Sequence, residues 1–181
     1  MSYTANVNKY RPERTDILCY TEDKLGNPHY SSRMYKILSH IYDPSAWSVY
    51  VDADIFLPDG MEEKLIEEVK QSGKVVGVFK HPWRDCVYDE AEEIVRLGKD
   101  VKENVEPMVE AFTSMNYPKH NGLAACGVLV RNNMLAMTMN NYWWAYLCST
   151  SKRDQLSFPI AFKDQIHYFN GDIYEYKIPK R

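Results

Sequence analysis

The sequence is short of the features that mark several whole classes of protein. Its four cysteines, Cys19, Cys86, Cys126 and Cys148, form no C-x-x-C pair and no zinc-like spacing. They lie in or beside apolar segments, which argues for reduced, buried thiols rather than a disulfide framework. No signal-peptide-like apolar stretch stands at the N-terminus, and no run approaches the ~20 apolar residues of a membrane span. LAACGVLV, residues 123–130, is only strand-sized. Neither charge dominates, with 22 Lys+Arg against 25 Asp+Glu, so no global field draws nucleic acid or an anionic membrane. Repeats, low-complexity segments and a second-domain boundary are all missing. The expectation is a soluble, cytoplasmic chain whose 181 residues suffice for one domain with a sizeable core.

What the sequence does have is aromatic side chains, 13% of the total with 14 Tyr and 4 Trp. Most belong in a core and its rim, and such rings also suit the C–H faces of sugars. The most informative stretch is WSVYVDADIFLP, from Trp47 to Pro58. An apolar strand runs into Asp52 and Asp54, and residues two apart on a strand point the same way. Two close carboxylates repel unless something neutralises them. A hard divalent cation, Mg²⁺ or Mn²⁺, does so, and such ions are commonly shared with substrate phosphates. The simplest functional reading is a metal-bridged diphosphate. The bland one is a helix cap or a hydrated turn.

The remaining elements read as an alternation of strands and helices, which points to an α/β sheet with strand ends lining a site. SYTAN ends a first strand that opens into the loop NKYRPE, and ILCYTED forms a second. SSRMYKILSHIY places Met34, Ile37, Leu38 and Ile41 on one helical face, with Ser31 or Ser32 as N-cap. Arg33, Lys36 and His40 share another face, solvated by default or, because the helix runs into the strand carrying Asp52 and Asp54, a source of cations for a diphosphate. EEKLIEEVKQSG is a helix stopped by Gly73, and KVVGVF is a buried strand ending in the polar loop His81–Asp85. Two acidic amphipathic helices follow. Small residues in NGLAACGVLV signal either a ligand or a helix close to the backbone. Asn133 is expected to cap a long helix with Leu135, Met139, Tyr142, Trp143 and Tyr146 inward, and Asp154 to stand at or near the next helix start. The end reads as two short strands about a turn at Asn170–Gly171, with His167 a metal ligand or an ordinary histidine.

Taken in order, YTAN, CYTED, the R-x-x-K of Arg33 and Lys36, VYVDADIF, HPWRD, NGLAACGVLVRNN and SKRDQLSFPIAF resemble a glycosyltransferase-like family. It was long filed as a domain of unknown function and has plant mucilage-related, bacterial and large-virus members. The resemblance runs from about Tyr3 to Phe162 and, more distantly, extends to GT-A enzymes. It implies a single GT-A-like α/β domain over residues 1–181 with a Rossmann-like, mostly parallel central sheet flanked by helices. The nucleotide-binding half would span about 1–60 and the sugar and acceptor half about 74–181.

The same resemblance implies roles. Tyr3, Thr4, Ala5 and Asn6 would hold base and ribose, and Asp23 the nucleoside. Arg33 and Lys36 would face the diphosphate, with Asp52 on ribose or metal and Asp54 on metal. His167 would be a third ligand, and Asn121, Gly122 and Gly127 would line the donor sugar. Asp154 would be the catalytic carboxylate, either a general base or a stabiliser of an oxocarbenium-like centre, with His81, Trp83, Arg84 and Asp85 toward the acceptor. The implied reaction is transfer from a UDP-linked sugar, with Mn²⁺ or Mg²⁺, to a glycan or other hydroxyl acceptor. The partners are then the nucleotide sugar and the glycan, with no nucleic acid and no membrane span.

Two other readings compete. A non-catalytic module for nucleotide sugar or glycan would not need Asp52, Asp54, Arg33 and Asp154 together. A haloacid-dehalogenase-type phosphatase would carry its aspartates on the first strand and a Thr or Val where Phe56 stands.

Overall fold

A computed structural model describes residues 1–7 and 15–177. The expected loop at 8–13 lies outside the described residues. Six strands form one sheet: β1 (Ser2–Ala5), β2 (Leu18–Tyr20), β3 (Trp47–Val51), β4 (Val76–Lys80), β5 (Ala124–Asn132) and β6 (Ile166–Phe169). Their order is β2-β1-β3-β5-β4-β6. β1 runs parallel to β2 and β3, β4 runs parallel to β6, and β5 is antiparallel to both β3 and β4. Five strands therefore point one way and β5 alone is reversed. The carboxyl ends of β3, β4 and β6 and the start of β5 meet along one edge, where open α/β sheets bind ligands.

Both sheet faces are covered, as the unbroken apolar runs of the inner strands require. Alternate residues of β5 go to opposite sides. Leu129 joins Tyr3, Tyr50, Val78, Trp143 and Phe158 on one face. Val128 and Val130 join Val49, Val51, Leu65, Val69 and Phe79 on the other. The first face lies under α1 (Pro28–Ile37), α6 (Asn133–Ser149) and α7 (Asp154–Phe162), and the second under α3 (Met61–Ser72). A third cluster joins α4 (Val87–Arg96) and α5 (Lys102–Ser114) to Leu156 and Ile160 of α7.

Several helix expectations are corrected. Helix α1 starts earlier than Ser31: Asn27 is its N-cap, accepting from the backbone N–H groups of His29 and Tyr30, and Pro28 is the first helical residue. It ends at Ile37, and a separate short α2 (Ser39–Tyr42) follows, which leaves Ile41 exposed. The cause of the break is Arg131, wholly buried on β5. Its guanidinium donates to the carbonyls of Lys36 at 2.6 Å and Ile37 at 3.0 Å, and to Tyr3 Oη at 2.8 Å. A cation here sits at the negative end of the α1 dipole and satisfies orphan carbonyls.

On α6 the cap is Asn132, whose side chain accepts from Leu135 N. Asn133 is instead buried, accepting from Ser39 Oγ and Ser48 Oγ and donating to the carbonyls of Asp43 and Ser45. The inward face of α6 is Ala136, Asn140, Trp143 and Leu147, while Leu135 and Tyr142 are exposed. The C-terminal segment is no hairpin: β6 adds in parallel to β4, and Ile173–Tyr176 forms a 3-10 turn. No helix among the described residues is long and apolar enough to cross a membrane.

Candidate active site

The cleft opens at the carboxyl edge of the sheet. Arg33 and Lys36 reach it from α1, Asp52 from the end of β3, His81 and Pro82 from the end of β4, and Ala125 to Gly127 from β5. Arg153, Asp154 and Gln155 come from the start of α7, and Ile173, Tyr174 and Lys177 from the chain after β6.

At its centre is a buried cluster of opposite charges. Lys36 Nζ lies 2.5 Å from Asp154 Oδ2 and 3.8 Å from Asp52 Oδ1, and Arg33 Nε lies 3.6 Å from Asp154 Oδ2. Lys36, on a helix face solvated by default, is only 2% exposed. Asp154 is the first helical residue of α7, where the helix dipole favours an anion, and its N-cap is Arg153. Burial by itself would raise the Asp154 pKa, but Arg33, Lys36 and Arg153 outweigh it and hold the carboxyl well below the usual carboxylate range. The group is therefore ionised at neutral pH and a weak base.

The two aspartates of the D-x-D do not lie along the strand. β3 ends at Val51, and Ile55 N donates to Asp52 O at 2.8 Å, so residues 52–55 make a tight turn. Asp52 faces the cleft and accepts from Tyr50 Oη at 2.9 Å. Burial, then the Asp52 charge, keep the Tyr50 hydroxyl protonated as that donor. Asp54 is buried, with Lys177 Nζ 3.6 Å from Oδ2. The chain after β6 crosses this turn: Phe56 N donates to Tyr176 O at 2.8 Å, and Ile55 forms an isolated antiparallel bridge to Lys177. Gly127 closes the floor. A Cβ there would stand 2.7 Å from Ile55 Cδ1, 2.9 Å from Ile173 Cδ1 and 3.4 Å from Asp52 Oδ2. The small residue at 127 thus leaves room for the D-x-D turn. Cys126 beside it is no nucleophile, because burial pushes its thiol up and keeps it protonated.

The expected residues divide clearly. Arg33, Lys36, Asp52, Gly127, Asp154 and His81 line the cleft. His167 does not: on β6, its Nε2 lies 2.8 Å from Glu68 of α3, so it is no third ligand beside Asp52 and Asp54. Tyr3, Thr4 and Asn6 are buried, and none of Tyr3 to Asn6 lines the cleft. Asp23 accepts from Asn27 N and Ser31 Oγ, which makes it part of the α1 start. Asn121 lies in a separate groove with Tyr117 and Tyr168, and Gly122, at φ 87, meets the Tyr168 ring.

Of the acceptor-side set, Arg84 turns to Glu90 at 2.5 Å and Glu93 at 3.8 Å, and Asp85 to His120. The His81 ring is fixed at Nδ1, which accepts from Arg84 N at 3.2 Å. Burial lowers the His81 pKa, more than Glu90 raises it, so the ring is neutral near pH 7. Trp83, 69% exposed, lies over Tyr174 with ring centroids 5.0 Å apart. Sequence reasoning missed Tyr50, Tyr174 and Lys177. Tyr50 was reachable, since it sits two before Asp52 on the same strand face. Nothing local marks Tyr174 or Lys177.

A mostly parallel sheet with one reversed strand, helices on both faces and acidic and basic side chains at its carboxyl edge defines a GT-A-like glycosyltransferase fold. Residues 17–174 match the family TOD1/MUCI70, glycosyltransferase-like domain, and the chain belongs to that family. Among solved structures it is similar to the WbbM bifunctional glycosyltransferase in its apo form, at 13% identity and a TM-score of 0.52, over 77% of this chain and 24% of that one. It is also similar to mouse xyloside xylosyltransferase 1 in its apo form, at 13% identity and a TM-score of 0.47, over 82% of this chain and 54% of the other. At this identity the first likeness shows the fold alone, and the second adds nothing to it. The chain spans about a quarter of the first protein's length and about half of the second's. No curated protein matches the sequence.

Proposed function

We propose that this domain is a metal-dependent glycosyltransferase that moves a sugar from a UDP-linked donor to a hydroxyl of a glycan acceptor. The observation that carries the reading is the cluster of Arg33, Lys36 and Asp154 beside Asp52 at the carboxyl edge of the sheet. Arg33, Lys36, Arg153 and Lys177 bring four cations to one cleft, more than its carboxylates need, which suits a diphosphate. The donor chemistry of the D-x-D also fits a hard cation, because Asp52 and Asp54 offer only oxygens and Mg²⁺ or Mn²⁺ takes the rest from phosphates and water. When bound, the ion supplies Lewis-acid neutralisation of the departing diphosphate.

The chain's own residues do the remainder. Lys36 is held by burial and by Asp154, and the partly exposed Arg33 by Asp154, so their charge is preorganised for the leaving group. Asp154, locked between two cations as a weak base, suits electrostatic stabilisation of an oxocarbenium-like centre better than proton abstraction. Trp83 on Tyr174, at the mouth of the cleft beside His81, offers an exposed ring face of the kind that sugar C–H groups stack on.

The test is a thermal-shift panel of nucleotide sugars with and without Mn²⁺, since a ligand of the native state raises the melting temperature by mass action. A shift by UDP-sugars that grows with Mn²⁺ is expected. No shift by any nucleoside diphosphate sugar would overturn the reading.

A further inference from the structure

A second group of metal-ligating side chains lies apart from the cleft, where the start of α4 meets the loop leading into β5. Cys86 Sγ, a carboxylate oxygen of Asp89 and a ring nitrogen of His120 lie within 4.8 Å of one another. We propose that these three side chains bind a zinc ion that fastens α4 to that loop.

The chemistry of the donors selects the metal. A thiolate and an imidazole are softer ligands than the all-oxygen set of Asp52 and Asp54, and favour zinc over Mg²⁺ or Mn²⁺. Tetrahedral zinc holds its ligand atoms about 3.3–3.6 Å apart, from bonds of roughly 2.0–2.3 Å. The three atoms thus need to close by about an ångström, and Asp89 and His120 are side chains at the surface that are able to move that far. Cys86 is fully buried, and its thiol forms no hydrogen bond among the described residues. Loss of its proton on binding would supply the anionic ligand.

Asp85 completes the arrangement. Its Oδ1 lies 2.8 Å from His120 Nδ1. A carboxylate on one ring nitrogen is what usually fixes the ring of a metal-bound histidine. An exposed Asp–His pair by itself would need neither the buried thiol nor Asp89 beside it. The spacing along the chain could not show the site, since His120 stands 34 residues after Cys86. Three protein ligands leave the fourth zinc position to water. The loop from His81 to Asp85 and the strand from Ala124 onward both lead to the cleft, and one ion would tie their roots together.

The full chain, stripped with EDTA, is titrated with Co²⁺ alone and followed by thiolate-to-cobalt charge-transfer absorption. One equivalent is expected to give the band, with Zn²⁺ displacing it. Cys86→Ser and His120→Ala should both abolish it, while Cys148→Ser and Asp54→Ala should keep it. His120 is exposed, so its variant serves even if Cys86→Ser folds poorly. No band in the unaltered chain, a band surviving His120→Ala, or a band lost with Cys148 instead would each overturn the proposal. Retention in Asp54→Ala separates this site from the cleft.

Discussion

Lys36 and Asp154 meet at 2.5 Å with both side chains only 3% exposed, joining the end of α1 to the start of α7 across the sheet edge. Removing one partner leaves the other only its longer contacts, Lys36 with Asp52 at 3.8 Å and Asp154 with Arg33 at 3.6 Å, so the cost should fall below that of an unpaired buried charge, at about 2–3 kcal/mol. Lys36→Met and Asp154→Asn should each lower unfolding free energy by roughly that amount at pH 7, read by urea denaturation. Loss below about 1 kcal/mol would mean the pair is hydrated rather than buried.

Acid should reveal the same pair. The folded Asp154 pKa is depressed relative to the unfolded value of about 3.9, so its contribution is full above that value. It is lost as pH falls below about 4 toward the folded pKa. Stability of the unaltered chain should therefore decline more steeply between about pH 4 and pH 2 than that of Asp154→Asn. Parallel declines would show that the carboxyl is not held down.

Asp54 probes the proposed metal apart from the Lys36–Asp154 cluster, since its ion pair is to Lys177 whereas Asp52 is tied to Tyr50 and Lys36. Asp54→Ala should weaken Mn²⁺-dependent UDP binding by roughly 100-fold, about 2.7 kcal/mol, in calorimetric titration. UDP affinity of the unaltered chain that survives EDTA would remove the ion from the site.

Two glycines should behave differently. A Cβ at Gly77 would stand 2.3 Å from Phe169 Cζ and 2.4 Å from Val69 Cγ2, deep in the core beneath α3. Gly77→Ala should cost about 3 kcal/mol, since a packed ring cannot yield easily. At Gly127 the nearest atoms are the ends of Ile55 and Ile173, which can turn. Gly127→Ala should cost about 1 kcal/mol yet weaken donor binding, because Ile55, which has to yield, belongs to the same turn as Asp52 and Asp54. Equal losses in urea midpoint would refute this ordering.

Trp83 is 69% exposed, and its ring contacts with Tyr174 and His81 lie at the surface. Trp83→Ala should change stability by less than about 0.5 kcal/mol and leave UDP binding intact. Acceptor KM should rise about tenfold, as expected for loss of a stacking contact worth about 0.5–1.5 kcal/mol. An unchanged KM across glycan acceptors would place the acceptor elsewhere.

Sequence by itself determined the alternation of strands and helices, the apolar strand feeding Asp52 and the Gly73 helix stop. These follow from local periodicity, turn chemistry and composition, which neighbouring residues carry among themselves. Tertiary structure decided which charges meet. The burial of Lys36 was beyond the helix pattern, whose default for that face is solvent, because its partners, Asp52 and Asp154, arrive from 16 and 118 positions away. Arg131 cut the first helix short from another strand, and β6 carried His167 against Glu68 rather than to the D-x-D. Pairing across a sheet edge is set by strand order and direction, and no window of sequence contains that information.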